Sequence, residues 1–146
     1  MWDVPGTREF DDANVDLAID FVVANGARRR AHTVSYSEVF IAGGIRPPQE
    51  LHFAGASLLV DAFMERFHQR CIERVLPPLD ALVVHVAGER TNRPGAEYFQ
   101  INGHHDPVGD WTRTSYEQQV AATNFWENQV QRCREWGEQH QQNATD

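Results

Sequence analysis

Leu76-Pro77-Pro78-Leu79-Asp80-Ala81-Leu82-Val83-Val84-His85-Val86-Ala87-Gly88 is the stretch that decides the fold. Its paired prolines end any helix that reaches them, since neither has a backbone N–H to donate and each restricts the residue before it. The run over residues 81–87 is rich in β-branched side chains and of strand length. A Gly- and Arg-rich loop over 88–95 follows, and residues 97–101 are expected to return as a second strand. This predicts an antiparallel hairpin with a long tip.

Upstream lies the strongest helical signal in the chain. Ala56, Leu59, Val60, Phe63, Met64, Phe67, Cys71 and Val75 recur on one face at the 3.6-residue period. Before it, Gly43-Gly44 and Pro47-Pro48 cut a helix short after about two turns. That helix is entered through Thr33-Val34-Ser35-Tyr36 and capped by Ser35 or Ser37. An earlier helix starts at Asp11 or Asp12, runs through Val15, Ile19, Val22 and Val23, and ends at Gly26 and Arg28-Arg29-Arg30. Downstream, Thr114 or Ser115 caps a last helix on which Tyr116, Val120, Trp126, Val130 and Cys133 share a face. Its Gln-rich end, from Gly137, is expected to fray.

The order helix, short strand, helix, helix, strand, loop, strand is that of a winged helix, whose third helix enters a DNA groove while the hairpin loop touches the backbone. The expected fold is α+β: winged-helix-like helices with a small antiparallel β-hairpin sheet and an added C-terminal helix. Residues 1–146 form a single domain, with a winged-helix-like core over 11–102 and a loop and helix over 103–140.

Composition excludes several chemistries. All 13 basic residues are arginine, so a Walker-type phosphate loop, a Schiff-base lysine and a Ser-x-x-Lys nucleophile are out. Cys71 and Cys133 belong to no Cys-x-x-Cys pair and read as buried free thiols in a reduced compartment. Met1-Trp2-Asp3-Val4-Pro5 has no signal-peptide character, and no apolar run reaches the roughly 18 residues of a membrane span. A soluble, cytoplasmic chain is expected. His104-His105-Asp106, with Asp110 nearby, has metal-ligand residue types. It is flanked by Gly103, Pro107 and Gly109, which favour a turn with exposed histidines, so neither metal nor cofactor is expected.

At Ser35-Tyr36-Ser37-Glu38-Val39 the chain resembles the winged-helix domain of DNA alkyltransferase and alkyltransferase-like proteins. The arginine with which that family fills the gap left by a flipped base is replaced by Glu50-Leu51, and its reactive Pro-Cys-His-Arg segment is missing, so alkyl transfer is out. A longer resemblance runs from Tyr36 to Trp126. It is carried by Tyr36-Ser37-Glu38, the long helix with Cys71, Leu76-Pro77-Pro78-Leu79-Asp80, Arg93-Pro94-Gly95, Trp111 and Phe125-Trp126. In these the chain is similar to a family of uncharacterised bacterial proteins met in mobile DNA, among phage, integron-cassette and genomic-island genes. That resemblance implies a context and no mechanism.

Charge is unevenly laid out. The chain carries −8 overall, with residues 26–96 at +2 and the segments 1–25 and 97–146 at −5 each. Arg66, Arg70 and Arg74 recur one turn apart on the long helix, and Arg90 and Arg93 lie in the loop, where a winged helix would place phosphate contacts. They are the candidate nucleic-acid-binding residues, although they could equally cover the helix's apolar face with their stems. Phe125 and Trp136 give the final helix a second apolar flank, and Trp111, Phe125, Trp126 and Trp136 concentrate aromatics in the last third. They are the candidate interface of a homodimer, unless the first helix covers both sides. An enzyme would need Cys71 or Ser37 beside a histidine, or Asp80 and Glu97 as paired carboxylates, and no spacing brings these together. Surface solvation is the simpler account of Asp80 and Glu97. The expected function is a non-catalytic protein-interaction or self-assembling module, with winged-helix-type nucleic-acid binding as the alternative. A small-molecule pocket under the aromatic helix stays open.

Overall fold

The computed structural model describes residues 10–47, 56–86, 90–107 and 115–144. Helix α1 (Asp12–Val22) runs on into a π-helical turn, Val23–Ala27. Strand β1 (Val34–Ser35) leads into α2 (Tyr36–Ala42), and α3 (Ala56–Glu73) follows. A 3₁₀ turn, Leu79–Leu82, enters β2 (Val83–Val84), after which come α4 (Ala96–Ile101) and the long α5 (Tyr116–Ala144). The chain is α+β and mostly helical.

Local chemistry places the helix starts. Asp11 accepts from the Asn14 N–H while Asn14 reaches back to the Asp11 N–H, and Ser35 and Glu38 do the same for α2. Ser115 and Gln118 repeat the motif before α5.

The expected hairpin is not there. β2 pairs in parallel with β1, Val34 opposite Val83 and Ser35 opposite Val84, a pairing that needs a crossover, here through α2 and α3. The ladder is short because Ser35 already caps a helix, so β1 has nothing further to offer. Val86 accordingly lies exposed. The expected return strand is α4. Tyr98 and Phe99 are adjacent and both buried, and a strand would point them to opposite faces. The helix turns both inward.

The larger core cluster joins Val15, Ile19 and Val22 of α1, Val39 and Phe40 of α2, and Phe63, Phe67 and Cys71 of α3 to Leu79, Leu82 and Cys133. Each fully buried large side chain there contributes about 1.5–3 kcal/mol. A smaller cluster gathers Ala81, Tyr98, Phe99 and Ala122, with Phe125, Trp126 and Val130 against it. Val75, expected on the buried face of α3, is 88% exposed.

Helix α5 spans both clusters, and its inner stripe differs from the expected one. Tyr116 and Val120 are exposed, while Ala122 and Cys133 are fully buried. Nor does the helix end at Gly137, which is buried within it. A Cβ there would lie 1.8 Å from the Ala27 carbonyl oxygen, because α5 meets the π turn backbone to backbone. Arg134 secures the same junction, donating to the carbonyls of Gly26, Arg29 and His32 in and after the π turn.

Gly137→Ala is therefore expected to lower stability by about 1–3 kcal/mol or more, the usual cost of overpacking. Glu138→Ala, at an exposed neighbour, should be nearly neutral. Urea midpoints of the two variants check this, and equal midpoints would refute the close approach.

Candidate functional site

The arginine stripe lies on α3 and faces α1. Arg66 donates to Asp12 at 2.7 Å, Arg70 to Asp16 at 2.9 Å and Arg74 to Asp20 at 2.9 Å. Each pair is 54 positions apart, so the helices run in the same direction with matched four-residue repeats. Glu73 also accepts from Arg66 at 2.7 Å and from Arg70 at 3.0 Å. The acidic N-terminal flank thus covers the stripe. The signal was in the sequence, as Asp12-x₃-Asp16-x₃-Asp20 against Arg66-x₃-Arg70-x₃-Arg74. Hydrogen bonds from Arg66 hold the Asp12 carboxyl below its ordinary range, those from Arg70 do so for Asp16, and both arginines act on Glu73.

Of the two loop arginines, Arg90 is paired with Asp106. Arg93 is half-exposed in the turn where its carbonyl accepts from the His85 N–H. Asp106 is therefore engaged, and His104 packs on Phe125 with ring centroids 4.4 Å apart. Asp110 lies outside the described residues. Among the described residues no three His, Cys, Asp or Glu side chains gather as a metal ion requires.

The aromatics turn mostly inward. Phe125 and Trp126 pack on the smaller cluster, and the Trp126 indole N–H donates to the Ala81 carbonyl at 2.9 Å. Trp136 packs on the larger cluster and stacks on His140. Trp111 lies outside the described residues.

Two polar clusters went unforeseen, because each joins residues distant in sequence. In the first, the Tyr36 hydroxyl donates to Glu97 at 2.6 Å and accepts from the Gly95 N–H at 2.7 Å. The Tyr36 ring lies against His85 at 4.6 Å. A Cβ at Gly95 would meet the Glu97 carboxylate at 2.2 Å, so a larger residue there would make that carboxylate shift. Burial raises the Glu97 carboxyl above its usual range, and the Tyr36 hydrogen bond opposes this. In the second cluster, Asp80 is 3% exposed and contacts His68 Nδ1 at 3.0 Å. Neither Asp80 nor Glu97 is the solvated surface carboxylate expected, and they do not pair with each other.

His68 and Cys71 line one cavity. Burial, then the Asp80 charge, pushes Cys71 well above the usual thiol range, and Cys133 is pushed up to about 12. Both cysteines are free, and Cys133 donates to the Pro78 carbonyl.

A groove of about 500 Å³ runs between the end of α3 and α5, lined by Ile72, Val75, Leu76, Pro77 and Trp136 and rimmed by Arg132, Glu135 and Gln139. Ile72 is 64% exposed. Val75 occupies the C′ position after α3 with φ +56°, where glycine is usual. The Leu76 N–H bonds back to the Cys71 carbonyl at 2.8 Å and closes the cap.

Stability should fall on both sides of neutrality. The lowered carboxyls of Asp12, Asp16 and Glu73 stabilise the fold above their ordinary values of 3.8 and 4.5, and that contribution disappears as pH drops through the folded values. His68 is raised above 6.5, first by its hydrogen bond to Asp80, so its contribution is complete below 6.5 and disappears as pH rises through the folded value. Denaturation across pH should show Arg70→Ala flattening the acid limb and His68→Gln the alkaline one. Unchanged limbs would contradict the assignment.

Compared with protein-family models, curated proteins and solved structures, the chain matches none.

Proposed function

We propose that this protein is a non-catalytic, self-assembling module whose α3 terminus and α5 dock on a second copy of the same chain. The observation that carries this reading is Val75. A β-branched residue in the left-handed region costs about 1–2 kcal/mol, and at 88% exposure its side chain gains little from the monomer. Burial against a partner offsets that cost, and Ile72, Leu76, Pro77 and Trp136 extend the apolar area around it. Arg132 and Glu135 stand on one rim. Opposite charges on the rim suit a self-complementary contact across a two-fold axis. A balanced rim also spares the contact from the repulsion that a chain of net charge −8 brings elsewhere.

The homodimer expected from Trp136 is kept in this reading, with its surface moved towards the end of α3. A cytoplasmic setting suits the two free, buried thiols, and no described helix is long and apolar enough to cross a membrane. The relationship to mobile-DNA proteins is part of the same proposal and rests on the sequence resemblance. Nucleic-acid binding by a winged-helix-type surface has less in its favour. Arg66, Arg70 and Arg74 already hold carboxylates, and a phosphate would have to displace them.

Light scattering with and without short duplex DNA, at low and moderate salt, separates the readings. The expected result is a dimer indifferent to DNA, reduced to monomer by Ile72→Asp. Val75→Gly should weaken the dimer while raising monomer stability by about 1 kcal/mol. A wild-type monomer, or a dimer untouched by both variants, would discard the interface. A salt-sensitive DNA complex lost in Arg70→Ala would install the alternative.

A further inference from the structure

Beside the groove, and under α5, lies a second hollow of about 310 Å³ between α3, the Pro77–Pro78 corner, the end of α4 and α5. Its volume falls in the range of small-ligand sites. Its polar lining includes His68, Asn102, Gln129 and Arg132, with no carboxylate among the described lining residues. Phe125, Ile72, Leu76 and Pro78 supply apolar walls. Behind the wall stands the buried Asp80, bonded through one oxygen to His68 Nδ1. Its other oxygen has no hydrogen-bond partner, nor has the buried Tyr98 hydroxyl.

We infer that this cavity is a binding site for a small organic monocarboxylate with an apolar body. Charge selects the head group. Asp80 holds the His68 ring through Nδ1, so in the protonated ring Nε2–H is the donor not committed to Asp80. Arg132 donates to the Gln129 amide oxygen at 3.0 Å and Asn102 Nδ2 to the Tyr98 carbonyl at 2.8 Å, so the remaining guanidinium and amide N–H groups are what the cavity offers a carboxylate. While His68 is protonated, imidazolium, guanidinium and the Asp80 carboxylate together leave a single positive charge, which matches a monoanion better than a phosphate dianion. The apolar walls select the body, since Phe125 offers a ring face and Leu76 and Ile72 an aliphatic one. Hydrogen bonding to Asp80 favours the charged form of His68, against burial. Asp80 would otherwise be a costly buried carboxylate, so the pair is a built feature of the cavity wall.

The probe is benzoate, titrated into isotopically labelled full-length protein while the His68 ring and the Asn102 and Gln129 side-chain amides are followed by NMR. Saturable shifts at these three groups are expected, together with at least a roughly tenfold weaker affinity in Arg132→Gln, the cost of one charge-assisted hydrogen bond. Arg132 is exposed on α5, so this variant should fold, and its amide spectrum checks that it does. Benzyl alcohol should not bind. Binding of benzylamine or benzyl alcohol as tight as that of benzoate would overturn the charge argument, and tighter binding of phenyl phosphate would overturn the carboxylate assignment. Failure of benzoate to shift the His68 ring would remove the site. Repeating the titration on Val75→Asp, which lies outside this cavity, keeps the result separate from dimerisation. Benzoate should bind that variant as it binds the wild type, and loss of binding there would transfer the site to the dimer interface.

Discussion

A chain segment that passes through a protein interior must find partners for its backbone groups away from water, and residues 77–84 make this demand. Leu79, Ala81, Leu82 and Val83 are fully buried, yet only Val83 and Val84 belong to a strand. The rest of the segment is satisfied from outside the sheet. Trp126 donates to the Ala81 carbonyl, Cys133 to the Pro78 carbonyl, and the 3₁₀ turn closes Ala81 N–H onto Pro78. Helix α5 is thereby a structural necessity, and its aromatic side chains act first as supports for this segment.

The arginines have a comparable internal role. Twenty-one acids against 13 bases would leave strong self-repulsion if the charges were dispersed. The parallel ladder between α1 and α3 instead stations three acids of the negative flank against three arginines of the positive middle. Individually such exposed pairs contribute little, but as a register of matched repeats they set how two parallel helices align. A stripe that resembles a phosphate-binding surface in one dimension is, in three, the seam between two helices. Apolar side chains also remain on the surface, among them Ile72 and Val75 in the groove beside Trp136.

Much of the helical framework was legible from local chemistry. The caps at Asp11, Ser35 and Ser115 depend on residues three apart, and the face from Leu59 to Cys71 on periodicity. The failures share a cause. Residues 97–101 look like a strand by composition, but only a helix turns the adjacent Tyr98 and Phe99 both inward. Val75 satisfies the helical period but stands one residue past the end of the pattern, where the chain turns left-handed. Of the candidate site, the individual members were visible as residue types. His68 and Asp80 are only 12 positions apart, but a helix end and two prolines intervene, and no spacing rule crosses such a corner.

The sequence by itself determined helices α1, α2, α3 and α5, the caps at Asp11, Ser35 and Ser115, the break at Pro77-Pro78 and the exclusion of lysine chemistry, because these depend on contacts within a few residues or on composition. Tertiary structure alone decided the parallel pairing of Val34–Ser35 with Val83–Val84, the burial of Asp80 against His68, the neutralised arginine stripe and the docking of Gly137 on Ala27. Each of these joins groups from separate elements. Their geometry depends on which faces compete successfully for the core, and a local pattern carries no record of that competition.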